Sequence, residues 1–476
     1  MTFVRRNSSL VLLAAGMIAA QSNAQITVLA IGNLTQTSAG SNVDLSGLTY
    51  KLENQAPANL LGGLGSGLTY VSADTYLALP DRGPNAMPFD SAIDDTDSYI
   101  NRFHTIRMGL SRNTTGKGLP FNLVSMMQST TLLWSPDKLV YGTGAGLGVG
   151  SGAPAVNTSL QHFFTGRSDN FDPTKNSGAP LDARFDSESI RVSNDGQTVY
   201  ISDEYGPYIY GFDRSTGRRT RFFKMPDNFY VPLCSPIGAN EIANNTVGRT
   251  ANKGMEGLAI TPDGKTLVGI MQNALLQDAN ELDSKGKKPA ANLLRIVTVD
   301  IASATVTHQY GYLLTTGSGV SDILALNNHE FLVDERDGRG REGGNNLTSN
   351  DARVKQPFKI DLNGATDISA MDGITAVQNV VAKTLFLDIV QALVGVGLDP
   401  TKDIPAKIEG ITFGPTLKTT DKTGNTVPLY TLWVANDNDF VLATNDVPPI
   451  PNPNQFFVFG FTDADLGGST FVPQFK

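Results

Sequence analysis

Short runs of alternating apolar and polar residues recur along the chain, and five stretches follow one plan. A small or acidic residue precedes a short apolar strand, a turn follows, and a second apolar strand ends in acidic or amide residues. Ser66-Gly67-Leu68-Thr69-Tyr70 leads through Ala73-Asp74 to Tyr76-Leu77-Ala78-Leu79 and Asp81-Arg82-Gly83-Pro84-Asn85. Glu188-Ser189-Ile190-Arg191-Val192 leads through Asn194-Asp195-Gly196 to Val199-Tyr200-Ile201 and Asp203-Glu204. Glu256-Gly257-Leu258-Ala259-Ile260 leads through Pro262-Asp263-Gly264 to Leu267-Val268-Gly269-Ile270 and Gln272-Asn273. Ser321-Asp322-Ile323-Leu324 leads to Phe331-Leu332-Val333 and Asp334-Glu335-Arg336, and Glu409-Gly410-Ile411-Thr412-Phe413 to Leu432-Trp433-Val434 and Asn436-Asp437-Asn438-Asp439. Period-two alternation bounded by Asp-Gly turns is the signature of β-hairpins.

Strand-like sequence follows the hairpins at 208–213, 294–300 and 358–362. Repeated hairpins of this kind predict an all-β fold, a β-propeller of six blades with seven as the other count. A pair of β-sandwiches is the alternative architecture. Ser46-Gly47-Leu48-Thr49-Tyr50 copies the phrase at Ser66 and is expected to begin a blade or help close the ring. Residues 456–461, after a Pro-rich stretch, read as a closing strand. Two insertions interrupt the pattern, 86–184 and 370–407, the second carrying helix-spaced apolar residues over 380–398.

Composition narrows the setting. The 476 residues would suggest several average domains, but propellers run long as one unit, so residues 25–476 read as a single domain. Residues 1–24 have a basic start at Arg5 and Arg6, an apolar run and a small-residue cleavage signal at Ser22-Asn23-Ala24, as an export signal does. Its removal would take the net charge from −9 to −11. The expectation is an exported protein, periplasmic or secreted, monomeric, with no nucleic-acid partner. One cysteine, Cys234, excludes an internal disulfide and a Cys-rich metal site.

The chemistry gathers where the hairpins end. Equivalent positions of propeller blades converge on the central channel, and two of them are acidic: Glu188, Glu256, Asp322 and Glu409 before the first strand, Asp81, Glu204, Glu335 and Asp437 after the second. Converging carboxylates repel unless a cation joins them. Oxygen ligands without a His or Cys cluster favour Ca²⁺ over Zn²⁺. Arg82, Arg191 and Arg336 lie in the same motifs and either neutralise these acids or bind an anionic substrate; ordinary turn caps and ion pairs are the alternative for any single acid. His104 and His162 fall in the first insertion, His308 in an outer strand and His329 in a turn. No G-x-S-x-G or EF-hand spacing occurs, and Gly142-Thr143-Gly144-Ala145-Gly146-Leu147-Gly148 lacks phosphate-loop spacing, so it reads as a surface loop.

Several stretches resemble the bacterial phytase-like domain family, known for an esterase-like activity of phytase. They are Phe164-Thr165-Gly166-Arg167-Ser168-Asp169-Asn170-Phe171-Asp172, Asp203-Glu204-Tyr205-Gly206, Met255-Glu256-Gly257-Leu258-Ala259, Lys407-Ile408-Glu409-Gly410 and Trp433-Val434-Ala435-Asn436-Asp437-Asn438-Asp439-Phe440, together with residues 331–338. The similarity runs in order from about Gly63 to Phe440; Ser189 departs from it by standing where Gly is expected after the acid. The resemblance implies an exported propeller hydrolase that cleaves a phosphate ester with Ca²⁺ assistance. Glu188, Glu204, Glu256, Asp322, Glu335 and Glu409 would then be metal ligands. Arg82 and Arg336 would clamp the phosphoryl group, and Asp437 or Asp439 would act as base. Asp81, Asn85, Arg191, Asn273 and Asn436 would contact substrate. Two alternatives stay open: a Ca²⁺-dependent esterase or lactonase in which Asn85, Asn273 and Asn436 share the metal, and a non-catalytic ligand-binding propeller.

Overall fold

A computed structural model describes residues 26–85, 96–206, 209–348 and 350–474. The segment read as an export signal lies outside the described residues. The alternating runs form four four-stranded antiparallel sheets and one of five strands. In chain order, blade 1 consists of Gly67–Ser72, Thr75–Leu79, Arg102–Arg112 and Phe121–Leu132. Blade 2 consists of Ser187–Val192, Thr198–Asp203, Ile209–Asp213 and Arg219–Phe223. Blade 3 comprises Met255–Ile260, Thr266–Met271, Leu293–Asp300 and Thr305–Leu313, and blade 4 Gly319–Ala325, Glu330–Arg336, Lys355–Asp361 and Lys383–Leu385. Blade 5 takes Lys407–Phe413, Thr426–Asp437 and Asn454–Phe461, then borrows Thr27–Leu34 as its outermost strand. The first strands touch in the cycle 1–2–3–4–5–1, which makes a propeller.

The expected six blades are therefore five. The phrase at Ser46 pairs with no second strand. Leu48 and Leu52 instead bury against Ala58, Tyr99, Ile100, Phe163 and Phe440, as part of the loop leading into blade 1. The closing strand does form: Asn454–Phe461 pairs with Thr426–Asp437 on one side and Thr27–Leu34 on the other, so the two ends of the chain close one blade. The presumed insertion 86–184 supplies the third and fourth strands of blade 1, where Phe103, Ile106 and Met108 bury beside polar alternates. Within 370–407, Lys383–Leu385 completes blade 4 and only Ile389–Gly395 of the expected 380–398 helix is helical, capped by the Asp388 carboxylate accepting from Gln391 N. Among the described residues no helix is long and apolar enough to cross a membrane.

The core lies between neighbouring sheets. Ile190, Ile201 and Phe212 of blade 2 pack with Leu258 and Val297 of blade 3, and Leu324 and Leu332 of blade 4 with Ile411 and Val434 of blade 5. At the axis the first strands approach so closely that side chains are barely tolerated. A Cβ on Gly257 would lie 2.8 Å from Ile323 N, one on Gly410 2.7 Å from Leu68 N, and one on Gly67 2.9 Å from Glu188 O. Blades 2 and 4 place Ser189 and Asp322 at this level. The Asp322 carboxylate accepts from Ser189 Oγ at 2.9 Å, Arg191 Nη2 at 2.7 Å and the backbone N–H groups of Ile323 at 2.8 Å and Ile411 at 3.1 Å. Three blades are thereby tied to one fully buried side chain. At the far end the C-terminal segment crosses the ring, with Val472 N donating to Leu326 O and Gln474 Nε2 to Val192 O.

Removing one partner of a buried, hydrogen-bonded ion pair strands the other charge, at about 3–5 kcal/mol. Asp322→Ala is expected to lower stability by about that much, read as a fall in the urea midpoint. Asp74→Ala, which removes the solvent-facing partner of Arg107, is expected to leave the urea midpoint nearly unchanged.

Candidate functional site

In blades 2 to 5 the first strand carries the same irregularity against the second. The register slips between Ser187 and Ile190, Met255 and Gly257, Val320 and Asp322, and Ile408 and Ile411. A bulge of this kind adds one residue to a strand and re-aims its side chain. The extra residues are Glu188, Glu256, Ser321 and Glu409, and the residues after them, Ser189, Gly257, Asp322 and Gly410, form the axial level described above. On the second strand Asp203, Met271, Glu335 and Asn436 occupy the last equivalent paired position. The next residues along, Glu204, Gln272, Arg336 and Asp437, line one cavity together with Asp81 of blade 1.

This register corrects two expectations, both in blade 4 and both by one residue. Asp322 belongs to the axial level rather than to the ring of glutamates, where Ser321 stands. Glu335 is equivalent to Asp203 rather than to Glu204, and Arg336 takes the cavity position. Because side chains alternate between faces along a strand, such a slip moves a group off the site. Glu335 accepts instead from Tyr312 OH at 2.7 Å, Thr316 N at 2.9 Å and Gly317 N at 2.9 Å, and pairs with Lys383. Burial alone would raise its pKa, but Lys383 and the other donors outweigh it and hold the carboxyl at about 2.

The cavity has a volume of about 510 Å³. Of the expected site residues, Asp81, Arg82, Asn85, Glu188, Glu204, Glu256, Arg336, Glu409, Asp437 and Asp439 line it. Arg191 does not, because its guanidinium is committed to Asp322. Asn436 is buried holding the closing strand, accepting from Gln455 N at 2.6 Å, and Asn273 lies outside the lining beside Gly319. His104 is buried on the third strand of blade 1 against Thr130, away from the cavity, and burial pushes its pKa down to about 4. Lining residues that the sequence reading passed over include Lys253, Gln272, Glu342 and Lys407. Lys253 and Lys407 stand three and two residues before a bulged glutamate, and a lysine just ahead of the acid in two blades could have marked them.

Two acidic trios sit here. The carboxylates of Asp186, Glu188 and Glu204 bring ligand oxygens within 4.8 Å of one another, as do those of Asp81, Asp437 and Asp439. The second trio holds a cation of the chain itself: Lys407 Nζ donates to Asp437 Oδ2 at 3.0 Å and to Asp439 Oδ1. The first is less well matched. Arg82 Nη1 donates to Asp186 Oδ2 at 3.0 Å, while Asp186 Oδ1 and Glu204 Oε1 are buried and accept from no donor. Arg336 bridges the floor, 2.6 Å from Glu409 Oε1 and 3.9 Å from Glu256 Oε1. Burial pushes the Glu188 carboxyl well above its ordinary range, and Glu256, Asp186, Glu204 and Glu409 push it further. Glu256 is raised in the same way, by burial and then by Glu204 and Glu409. Burial lifts Asp81 to about 7 against the pull of Lys407 and Arg82.

A family model described as Phytase-like, esterase-like activity of phytase, matches residues 59–440. An "Uncharacterized secreted protein" of Arthroderma benhamiae is 31% identical over 182 residues, which are 32% of this chain and 34% of that protein. The match thus spans about a third of that relative's length. Among solved structures, a putative 6-phosphogluconolactonase from Bacteroides uniformis aligns at 13% identity over 78% of this chain and 80% of that one, with a TM-score of 0.29. The Dos1 propeller aligns at 8% identity over 94% and 97%, with a TM-score of 0.27. At such scores neither structure bears on the fold or the chemistry, and the fold rests on the strand pairing above.

Acids whose pKa is raised on folding bind more protons in the native than in the unfolded chain, so their stabilising protonation is complete below the unfolded value and lost as pH rises through the folded one. Asp81, Asp203 and Asp334 are each lifted from 3.8 to about 7. In chelator, the melting temperature is expected to fall as pH rises from about 4 to about 7. Asp334→Asn should flatten that slope, and a melting temperature that rose across the window would contradict it.

Proposed function

The chain belongs to the phytase-like family, and we propose that it is an exported hydrolase of phosphate esters that works with one bound Ca²⁺ in the blind end of its propeller. The observation that carries this reading is the Asp186, Glu188 and Glu204 trio, three buried carboxylates with two oxygens that accept from no donor. An all-oxygen donor set without nitrogen or sulfur suits a hard cation, and a buried trio of like charges is stable only if protonated or cation-bound. Bound there, Ca²⁺ would supply Lewis-acid polarisation and a more acidic water.

The remaining roles fall to the chain. Arg82, Lys253 and Arg336 present the positive charge that an anionic ester needs in a strongly acidic cavity. Arg336 is oriented by Glu409, so its guanidinium is preset rather than recruited. Glu256, whose carboxyl burial, Glu204 and Glu409 push well above its ordinary range, is the group placed to deliver a proton to the departing oxygen. Asp437 and Asp439, first considered as bases, are engaged by Lys407 and suit a supporting role better. Removal of the 1–24 segment on export accords with an extracytoplasmic supply of Ca²⁺.

Mature protein assayed on a phosphomonoester, inositol hexakisphosphate and an aryl ester, each with Ca²⁺ and with chelator, tests the reading. Phosphate release that chelator abolishes is expected, and Glu204→Gln should lower it by about 10–100-fold. Cleavage of the aryl ester alone would transfer the site to the esterase reading. A melting temperature raised by Ca²⁺ without turnover would make the protein a binding propeller. No turnover together with a melting temperature indifferent to chelator would overturn the metal site as well.

A further inference from the structure

The two acidic trios of the cavity differ in one respect that bears on how many ions it holds. At Asp81, Asp437 and Asp439, the space between the oxygens is reached by the ammonium of Lys407, which donates to Asp437 Oδ2 at 3.0 Å and to Asp439 Oδ1. Lys407 opens the first strand of blade 5, directly across from Asp437 in the ladder, so backbone pairing sets the approach of the two groups. Its side chain is 28% exposed, whereas that of Asp437 is 1% exposed, so the charged head enters from the cavity side.

The backbone around the third acid is also constrained to this end. Asp439 and Phe440 adopt φ angles of +50° and +57°, a left-handed conformation unusual for residues other than Gly. Asp437 Oδ1 accepts from Asp439 N at 2.7 Å, which folds the turn back onto the strand end. Phe440 is held in place by its ring against Tyr99, with centroids 5.0 Å apart, and by the close approach of Gly62 and Gly63, where no Cβ fits. The turn thus delivers the Asp439 carboxylate to the ammonium. Among the described residues no lysine donates to the Asp186, Glu188 and Glu204 trio; the Arg82 guanidinium donates to one oxygen of Asp186, and Lys253 acts on Glu204 through its charge alone.

We propose that Lys407 is a built-in cation: it occupies the Asp81, Asp437 and Asp439 trio in place of a metal ion, so the cavity has a single exchangeable divalent site. This rests on the metal reading above for the other trio but not for its own. A tethered ammonium offsets one of the three carboxylate charges at any Ca²⁺ concentration. It also presents three donors and no acceptor, so a divalent ion can enter only by displacing it. Lys407 is a positioning residue in this arrangement, and its effect is read in ion stoichiometry rather than in turnover.

Equilibrium dialysis with ⁴⁵Ca²⁺ on the mature protein tests it. The wild type is expected to bind one ion per chain, Lys407→Met two, and Lys407→Arg one, since the guanidinium keeps the charge in place. Lys407→Met/Asp439→Asn should return to one. A wild type that binds two ions, or a folded Lys407→Met that gains none, would overturn the proposal, and the first of these outcomes needs no variant. Glu188→Gln/Glu204→Gln separates the two readings. If the wild type binds none while Lys407→Met binds one, the assignment of the first trio fails and that of Lys407 stands, whereas a variant that keeps the wild-type ion puts that ion outside the first trio and overturns both.

Discussion

The close approach of five backbones at the propeller axis is the constraint on which the rest of this protein depends. With only five blades the first strands converge until Gly67, Gly257 and Gly410 leave no room for a Cβ. The two side chains that do enter the level, Ser189 and Asp322, hydrogen-bond to each other across the ring. Arg191 completes the contact and also donates to the carbonyls of Leu68, Ile190 and Ile323, so one guanidinium joins blades 1, 2 and 4. Burial raises the Asp322 carboxyl above its ordinary range while Arg191 and its other donors pull it down. The charge is tolerated because four donors face it. A channel lined by such a level is no channel, and the cavity above it is closed at its inner end.

The bulge is the second consequence of that convergence. A strand that must pack a glycine or small residue against the axis cannot also aim its preceding residue there. In blades 2, 3 and 5 the extra residue turns that side chain into the cavity instead, while Ser321 of blade 4 donates to Asp334. The three residues so placed are glutamates, which is why the floor is acidic. With Asp81, Glu204, Glu342, Asp437 and Asp439 on the walls, the carboxyls outnumber Arg82, Lys253, Arg336 and Lys407 among the described lining residues. Fold and electrostatics here have one cause.

Much of this was legible in the chain. The hairpins appear where the alternation and turn residues put them: Gly196 and Gly264 take φ of +71° and +72°, as the turns at Asn194 and Pro262 require. The closing strand was readable because Phe456, Val458 and their neighbours are apolar on both faces, as an inner strand demands. The outer strands of blade 1 were missed because polar residues share both faces of Phe121–Leu132, which weakens alternation. The extra blade came from a phrase at Ser46 that has strand composition but no second strand to pair with. At the site, acids were found wherever the motif was regular. In blade 4 two polar residues stand side by side at each position, Ser321 with Asp322 and Glu335 with Arg336, and only the ladder register decides which of them faces the cavity.

The narrowness that forbids a Cβ at the axis also sets the character of the cavity. In a wider ring the glutamates of blades 2, 3 and 5 would stand farther apart and in better contact with water, and their charges would be screened. Here they are nearly inaccessible, at 8% exposure for Glu188, 2% for Glu256 and 3% for Glu409; beyond burial, Glu256 and Glu409 push the Glu188 carboxyl up, and Glu409 pushes up that of Glu256. Such a group of acids has few stable states: some of them hold protons, or positive charge comes to them. Arg336 and Lys407 meet the need where Glu409, Asp437 and Asp439 lie. Asp186, Glu188 and Glu204 have the Arg82 guanidinium on Asp186 and the charge of Lys253 acting on Glu204, and in the function proposed above a cation from solution supplies the rest.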